Sequence, residues 1–460
     1  MSDAVSHSQN GDRSGQTTSL TRQLGLWSAV FMCMGSEIGS GIFLVSADIA
    51  TAMKSPMAGL MVWVVAGLIS LAGALIFAEL GTMFPSAGGE YVFLREAYHP
   101  ILAFLYGWTL IFVIQAGTIA GLAAAFSRFM LPFLHLGRFG REIESTIIVV
   151  VLTLMNFVGI KRGAQLLDAV TSFKVVAIVG LILYVLFASP HGTVSPIDFS
   201  FGKSTLSAFG VALLAAFWAY DGWYSITFIA GEMKNPARDI PLSSLIAIIG
   251  TGTLYILCSY VYYKVLPVSA IAHSHYVAAD VVRVLGGDTA VRILGIVVLI
   301  SVLGCLNACI ISGARVIYAM AKDNVLPHAL AVVNPKTHSP NRALTLQMIW
   351  SILLVWSGTY DQLFTYVIVA GFIFYGLTAS AVLWLRRKKP NQNRPYKVPL
   401  YPILPLAYVL FTIVFTVNSF VEKTKESFAG LLIVATGLPA YYIMKKLAAR
   451  RAEQNAATPS

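Results

Sequence analysis

Charged residues are scarce in this chain, and that scarcity excludes most classes of soluble protein. Aspartate, glutamate, lysine and arginine make up 12% of the 460 residues, whereas about 25% is usual for a soluble globular domain. Hydrophobic residues reach 57%, and the mean hydropathy is +0.74. No long hydrophilic stretch interrupts the interior of the chain. The composition therefore predicts a polytopic membrane protein.

Cysteine and histidine are too few and too scattered to form a disulfide framework, a metal site or a catalytic centre. All four cysteines fall inside apolar stretches, and none belongs to a CxxC motif. Among the eight histidines only His273 and His275 are close in sequence, and they lack the four-residue spacing of a helical metal pair. A Walker-type phosphate-binding motif is also missing. We therefore expect no cofactor, no metal ion, no enzymatic activity and no direct use of ATP.

Apolar stretches long enough to cross a bilayer recur along the whole chain. A hydrocarbon core about 30 Å thick needs roughly 20 mostly apolar residues per helix. The alternating pattern of a membrane β-barrel is missing, which leaves helices as the spanning elements. The predicted spans are 24–52, 58–83, 101–130, 145–159, 166–188, 206–231, 242–266, 289–320, 343–358, 362–385, 403–420 and 428–445.

The polar ends of the chain set the expected orientation. Residues 1–23 carry no cleavable signal peptide, and both this segment and the 447–460 tail are predicted to be disordered. With the N-terminus inside the cell, the inside segments hold 21 lysines and arginines and the outside segments hold 10. This asymmetry predicts cytoplasmic termini. The net charge of +11 thus reflects membrane topology, and no nucleic-acid partner is expected.

The first span contains a segment that is poorly suited to a continuous helix. Residues 35–43 read Gly-Ser-Glu-Ile-Gly-Ser-Gly-Ile-Phe, with three glycines and two serines around a carboxylate. One interpretation is close helix packing through Gly35 and Gly39. The interpretation we favour is a helix broken at mid-membrane, which is tolerated only where the freed backbone groups face a cavity. The N–H groups that begin the second half-helix would then attract an anion.

A second break is predicted in the sixth span, at Phe-Trp-Ala-Tyr-Asp-Gly-Trp (217–223). An aspartate beside a glycine at membrane depth is costly and indicates a functional site. Breaks at matching positions of two halves are typical of inverted-repeat transporters. We therefore predict two five-helix halves, 24–188 and 206–385, with the pair 403–446 outside the repeat. A zwitterionic amino acid fits such a site, although free carbonyls could equally bind a cation.

The sequence resembles a known family of membrane carriers. It is similar to the amino acid–polyamine–organocation superfamily, and within it to the L-type amino acid transporters, in particular bacterial serine/threonine and alanine–serine–cysteine exchangers. The likeness runs through all twelve spans. The matching segments are Gly-Ser-Gly-Ile-Phe (39–43), Pro-Ser-Ala-Gly-Gly-Glu-Tyr (85–91), Ala-Tyr-Asp-Gly-Trp (219–223), Gly-Glu-Met-Lys-Asn-Pro (231–236), Gly-Cys-Leu-Asn (304–307) and Val-Pro-Leu-Tyr-Pro (398–402).

The resemblance implies an all-α fold of the LeuT type, with twelve helices, a five-plus-five inverted repeat and broken helices 1 and 6. It also implies that the substrate carboxylate meets the N–H groups of Ser40 and Gly41. The substrate amino group would meet the carbonyls of Glu37, Trp218 and Asp221. The side chain of Trp218 would close over the substrate as a gate. The remaining residues implied at the site are Ser36, Ile38, Gly39 and Ala219.

Lys174 lies in the middle of the fifth span, where an unpaired ammonium is costly. One interpretation without a functional role is that the side chain snorkels to the membrane surface. Related Na⁺-independent carriers place a lysine there, in the region of a sodium site. A fixed ammonium would repel Na⁺, so this residue implies exchange or proton coupling. Ser312 is a weaker candidate for the same region.

Glu37 departs from the family, which usually has an apolar residue at this position. Its carboxyl is a structural group, a ligand for a cationic or polar substrate group, or a group that titrates during transport. Four further residues are candidates for the pocket wall or for ordinary packing: Gln115, Thr118, Phe372 and Tyr375.

The expected function is exchange of small or medium neutral L-amino acids across the plasma membrane by alternating access, without Na⁺. The alternatives are proton-coupled symport, a carrier of cationic amino acids or polyamines, and a receptor that does not transport. Mammalian members of the family join a heavy chain through a cysteine between helices 3 and 4. Residues 131–144 contain no cysteine, so no disulfide-linked heavy chain is expected, and the oligomeric state stays open.

Overall fold

The computed structural model describes residues 20–39, 41–130, 139–188, 206–358, 360–422 and 424–457. These residues form helices joined by short connections and contain no β-strand. The α-helices are α1 (Leu26–Glu37), α2 (Gly41–Leu44), α3 (Ser46–Met53), α4 (Pro56–Met83), α5 (Glu90–Ala97), α6 (Pro100–Thr109), α7 (Ala116–Met130), α8 (Gly140–Phe157), α9 (Ile160–Ala188), α10 (Leu206–Tyr220), α11 (Ser225–Phe228), α12 (Pro236–Val265), α13 (Val268–Ala272), α14 (Val277–Lys322), α15 (Asn341–Ser357), α16 (Tyr360–Lys388), α17 (Ile403–Glu422) and α18 (Thr424–Ala457).

The outer surface of the molecule is apolar, as expected of a protein in lipid. Large hydrophobic side chains on the outer helices are strongly exposed, among them Phe187, Val176 and Leu410. Eight helical segments of the described chain are long and apolar enough to cross a membrane by length and hydropathy. Every predicted span contains helix, and the multi-pass membrane class follows.

The ends of the predicted disordered segments are more ordered than expected. The N–H groups of Gln23 and Leu24 donate to the Glu232 carbonyl at 2.8 and 2.9 Å, so the chain is already held in place at Gln23, inside the segment predicted to be disordered. At the other end, α18 continues to Ala457. The 447–457 stretch is rich in alanine and arginine, which are strong helix formers. Their helix propensity explains why the prediction of disorder is wrong there.

Two groups of helices make up the centre of the molecule. Helices α1, α4, α10 and α12 pack against one another in the first group, and helices α7, α8, α14 and α15 pack together in the second. Helix α9 lies between them, in contact with both α1 and α14, while α16 contacts α4, α5 and α7. The two groups face each other across the broken segments, which positions those segments at the centre of the fold.

The third predicted span is not a uniform helix. Between α6 and α7 the backbone forms a π-helix over Leu110–Gln115, so Gln115 ends the wider turn. Segments of π-helix are rare and occur frequently at functional sites. In α14 the backbone kinks at Gly287, where φ is +61°. The predicted start of that span, residue 289, follows this kink.

Candidate functional site

The break predicted in the first span is present. Helix α1 ends at Glu37, and Ile38 leaves the helical region with φ −78° and ψ 83°. Helix α2 begins at Gly41. Ser40, predicted to bind the substrate, lies outside the described residues. Gly35 also packs against α9, because an added Cβ would lie 2.9 Å from the Thr171 hydroxyl. Close packing and a helix break thus both occur in this segment.

The second predicted break follows α10, which ends at Tyr220. A turn over residues 221–224 separates it from the short helix α11. Gly222 has φ +111° in this turn, a conformation that glycine adopts without the steric cost other residues incur. The sequence pairing of aspartate with glycine therefore marks the point where the helix unwinds.

The two broken segments touch each other, and glycines make the close approach possible. A Cβ on Gly222 would lie 2.7 Å from the Ser36 Cβ, and a Cβ on Gly41 would lie 2.9 Å from the Ala219 Cα. The hydroxyls of Ser36 and Ser225 are 3.0 Å apart, which joins α1 to α11. A larger residue at either glycine would push the two breaks apart.

Side chains from three other helices occupy the carbonyls that the first break releases. The Lys174 ammonium on α9 donates to the Gly35 and Ile38 carbonyls at 2.9 and 2.7 Å. The Ser301 hydroxyl on α14 donates to the Ile38 and Gly39 carbonyls at 3.1 and 3.2 Å. Lys174 is fully buried, so its prediction as a paired, non-snorkelling residue agrees with these contacts.

Tyr255 on α12 links the two breaks to each other. Its hydroxyl contacts the Glu37 carbonyl at 3.0 Å and the Ala219 carbonyl at 2.9 Å. Its single proton can be donated to only one of these carbonyls at a time. The Glu37 carbonyl also accepts from the Gly39 N–H at 2.9 Å. Sequence reasoning did not identify Tyr255 or Ser301. Each stands in an unbroken apolar span, where nothing in the local pattern sets it apart.

The hydrogen bonds of Ser312 go to groups other than Lys174, so its assignment to the lysine region stays a prediction. Ser301 meets the carbonyls that Lys174 contacts, and eleven residues of helix, about 16 Å, separate it from Ser312. Ser312 instead donates to the Cys309 carbonyl at 3.2 Å and accepts from the Gln115 amide at 3.3 Å. It therefore belongs to the cavity wall.

A cavity with an empty volume of about 640 Å³, counting space open to solvent, lies between the two breaks and helices α7 and α14. Most of the predicted site residues line it. The lining residues are Ser36, Glu37, Gly39, Gly41, Gln115, Thr118, Leu122, Trp218, Asp221, Gly222, Tyr224, Ser225, Cys305, Cys309 and Ser312. Ile38 and Ala219 contribute carbonyls to the surrounding network and do not line the cavity.

A second, aromatic cavity adjoins the first on the side of α16. Phe217, Trp223, Phe372, Tyr375 and Tyr408 are among its lining residues. Three residues line both cavities, namely Thr118, Trp218 and Asp221. They form the boundary between the two spaces. Trp218 thus occupies a position from which an indole ring can separate one cavity from the other.

Two carboxyl groups reach this region in different surroundings. The Asp221 carboxyl accepts from the Tyr375 hydroxyl at 3.1 Å and from the Tyr224 hydroxyl at 3.5 Å. Neither oxygen of the buried Glu37 carboxyl makes a hydrogen bond of normal geometry, and the Thr251 hydroxyl beside it is likewise unpaired. A buried carboxylate without a donor is costly. A proton or a substrate ammonium at Glu37 would remove that cost.

No group of three or more histidine, cysteine, aspartate or glutamate residues able to hold a metal ion occurs in the described chain. The polar groups of the cavity are backbone amides and carbonyls, hydroxyls, the Gln115 carboxamide, the Cys305 and Cys309 thiols and two carboxyls. Such a set of groups suits a small ligand that carries both a positive and a negative charge.

Comparison with known proteins agrees with this geometry. The sequence profile described as "Amino acid permease" matches residues 24–438. The serine/threonine exchanger SteT of Bacillus subtilis is 29% identical over 93% of this chain and 98% of its own length. The b(0,+)-type amino acid transporter 1 of Mus musculus is 29% identical over 93% of this chain and 89% of its own. The human large neutral amino acids transporter small subunit 2 is 28% identical over 93% of this chain and 81% of its own length.

These relatives are transporters rather than enzymes, and the profile covers both breaks, the lysine site and the cavity wall. The resemblance seen in the sequence motifs is therefore confirmed over nearly the whole chain. The chain belongs to the amino acid permease family.

Proposed function

We propose that this protein exchanges small or medium neutral L-amino acids across the plasma membrane by alternating access and without Na⁺. The observation that carries the proposal is the cavity between two contacting helix breaks. Backbone groups freed in such breaks bind the charged ends of substrates in inverted-repeat transporters. A serine/threonine exchanger among the relatives supports the same substrate class.

The packing supports a five-plus-five repeat within twelve membrane helices. In chain order, the first, second, sixth and seventh predicted spans form the group of α1, α4, α10 and α12. The third, fourth, eighth and ninth form the group of α7, α8, α14 and α15. Each group takes the same positions from both halves, as expected if the halves are equivalent. Rocking of one group against the other would expose the cavity to each side in turn.

The substrate carboxylate is proposed to bind the N–H groups of Ser40 and Gly41, at the start of the second half of the broken helix. The ammonium is proposed to bind the Trp218 and Asp221 carbonyls. The Glu37 carbonyl already accepts from the Gly39 N–H and lies 3.0 Å from the Tyr255 hydroxyl, so the ammonium would compete with Tyr255 for it. The side chain would extend past Trp218 toward the aromatic cavity, and Trp218 would close over it.

Independence from Na⁺ is supported by the position of Lys174. Its ammonium holds two carbonyls of the first break, and a second side chain, that of Ser301, also donates to the Ile38 carbonyl. Carbonyl and hydroxyl oxygens at a helix break are the usual ligands for Na⁺ in such folds. The ammonium supplies the positive charge that a sodium ion would otherwise provide.

A second candidate function is favoured by the carboxyl groups of the site. The Glu37 carboxyl makes no hydrogen bond of normal geometry, and Asp221 stands at the boundary of both cavities. A cationic side chain that passed Trp218 would meet Asp221, and a proton could bind Glu37. Transport of cationic amino acids, or proton-coupled symport, is therefore the alternative to neutral exchange.

We further propose that the termini face the cytoplasm and that the chain works without a disulfide-linked heavy chain. Residues 131–138 lie outside the described residues, so the argument rests on the missing cysteine in the 131–144 segment and on the distribution of basic residues.

The test is uptake of labelled serine, alanine, leucine and arginine into proteoliposomes preloaded with unlabelled amino acid, in Na⁺ or choline buffer. We expect uptake of serine, alanine or leucine at equal rates in both buffers. The Trp218→Ala variant should lose transport more than equilibrium binding, whereas Trp27→Ala, on an exposed part of α1, should behave like the parent. Preference for arginine would favour the second candidate, and dependence on Na⁺ would contradict the assignment of Lys174.

A further inference from the structure

A basic pocket at one end of the helix bundle has no part in the proposed transport site. It lies where α4 ends at Met83 and α12 begins at Pro236. Its walls also include the segment before α1 and the connection between α16 and α17. Three cations line it, namely Arg22, Lys234 and Arg238, together with the amides of Gln392 and Asn393.

Main-chain hydrogen bonds hold two of these cations together. The Gln23 N–H donates to the Glu232 carbonyl at 2.8 Å, and the Lys234 N–H donates to the Leu24 carbonyl at 2.9 Å. This pairing fixes Arg22 close to Lys234 whether or not an anion is present. Arg394 fixes the other wall, because its guanidinium donates to the Lys389 and Gln392 carbonyls at 2.8 and 2.9 Å.

The three cations have no counter-charge in the described part of the chain. None of them takes part in an ion pair, and no carboxylate lines the pocket. The nearest acid along the chain, Asp239, is buried and stands outside the lining. The N-terminus of α12 adds partial positive charge. Like charges held together in this way attract an anion.

The surroundings indicate that the anion belongs to a lipid. The helices that line the pocket begin or end beside it, which places the pocket at the boundary between membrane and water. Exposed apolar side chains come shortly after the lining segments along the chain. They are Trp27, Leu400 and Ile403, which are 63%, 71% and 69% exposed. Exposed tryptophan is enriched at the level of lipid headgroups, and the aliphatic residues offer a surface for acyl chains.

We propose that this pocket binds the phosphate headgroup of an anionic phospholipid of the cytoplasmic leaflet. Basic pockets between helices on that side of membrane proteins bind such headgroups. The bound lipid would join the segment before α1, the start of α12 and the loop before α17. It would stabilise this end of the bundle independently of any substrate.

The test is thermal unfolding of the purified full-length protein in detergent, with added dioleoyl phosphatidylglycerol, dioleoyl phosphatidylcholine or inorganic phosphate. Phosphatidylglycerol should raise the unfolding temperature by about 2 °C or more, because a ligand of the native state stabilises it by mass action. The variant Arg22→Gln/Lys234→Gln/Arg238→Gln should lose most of that rise. The matched control Lys322→Gln/Lys336→Gln/Arg387→Gln removes three exposed cations from the same predicted face and should keep it.

An equal rise with phosphatidylcholine, or an equal loss in both triple variants, would overturn the proposal. An equal rise with phosphate alone would assign the pocket to a soluble anion and overturn the lipid assignment. If the triple variant does not fold, Lys234→Gln and Arg238→Gln should each give a partial loss, and an undiminished rise in both would contradict the proposal. The readout does not involve transport, so its result is independent of the proposed function.

Discussion

At the scale of single residues, Lys174 and Glu37 are the two charged groups nearest the first break. Lys174 satisfies two backbone carbonyls with one ammonium, while the Glu37 carboxyl, beside the Thr251 hydroxyl, makes no hydrogen bond of normal geometry. The contrast gives them different roles. We propose that Lys174 is a fixed part of the break and that the Glu37 carboxyl changes its state when a proton or substrate arrives.

Replacement of Lys174 by methionine should abolish most transport. It removes two charge-assisted hydrogen bonds, each worth about 1.5–3 kcal/mol, and leaves the Gly35 carbonyl without its donor. We expect at least a tenfold lower exchange rate in proteoliposomes. The control Lys161→Met alters an exposed lysine at the start of α9 and should leave the rate unchanged. Full activity of the Lys174 variant would refute the role assigned here.

Replacement of Glu37 by glutamine should change transport or its dependence on pH. Glutamine keeps the shape of the side chain but can neither ionise nor release a proton. Uptake curves from acidic to alkaline pH should therefore differ between variant and parent. Glu144→Gln is a matched control, because Glu144 is a buried carboxyl that accepts from Ser127 on the outer side of the bundle. Identical curves for Glu37→Gln and the parent would contradict a titrating or ligand-binding role.

At the scale of elements, the contact between the two breaks decides the shape of the site. Gly222 and Gly41 allow the segments to approach within the distance of a methyl group. The breaks were predictable, since glycine, serine and a carboxylate in an apolar span disfavour a helix. The partners of the freed carbonyls were not, since Tyr255 and Ser301 meet them only after three distant spans pack together. The same limit applies to Ser312, because the local sequence of α14 does not indicate which residue of that helix lies at the level of Lys174.

Replacement of Gly222 by alanine should separate the breaks and reduce transport. The added Cβ would meet the Ser36 Cβ at 2.7 Å in a backbone conformation with φ +111°. Overpacking of this kind costs about 1–3 kcal/mol, so we expect a rate at least five times lower. Gly180→Ala in α9 has nothing within 4 Å of the added atom, and should leave transport unchanged and stability equal or higher.

At the scale of the whole molecule, ion pairs connect the ends of helices that belong to different parts of the bundle. Arg315 on α14 is fully buried and contacts Glu232, after α11, at 2.8 and 3.1 Å. Arg386 on α16 contacts Glu79 on α4 at 2.6 and 2.9 Å. These pairs join α14 to the segment after α11 and α16 to α4. Under alternating access they would have to separate when these elements move apart.

Replacement of Arg315 by methionine should lower thermal stability strongly. Removal of one partner of a buried ion pair costs about 3–5 kcal/mol, because the remaining charge stays buried and unpaired. The double variant Arg315→Met/Glu232→Leu should recover most of the unfolding temperature for the same reason. Arg283→Met, which breaks an exposed pair with Asp280, should change it little. Equal stability of the single and double variants would contradict this account of the pair.

The measurement that tests the central claim most directly is uptake of labelled serine into proteoliposomes with and without internal amino acid, at equal pH and with an inward proton gradient. We predict uptake only into loaded vesicles, and no effect of the proton gradient. The reason is that Lys174 supplies a fixed cation, so that the carrier reopens to the other side of the membrane only when an amino acid is bound. Concentrative uptake into empty vesicles driven by the proton gradient would contradict exchange and would make Glu37 the centre of the mechanism.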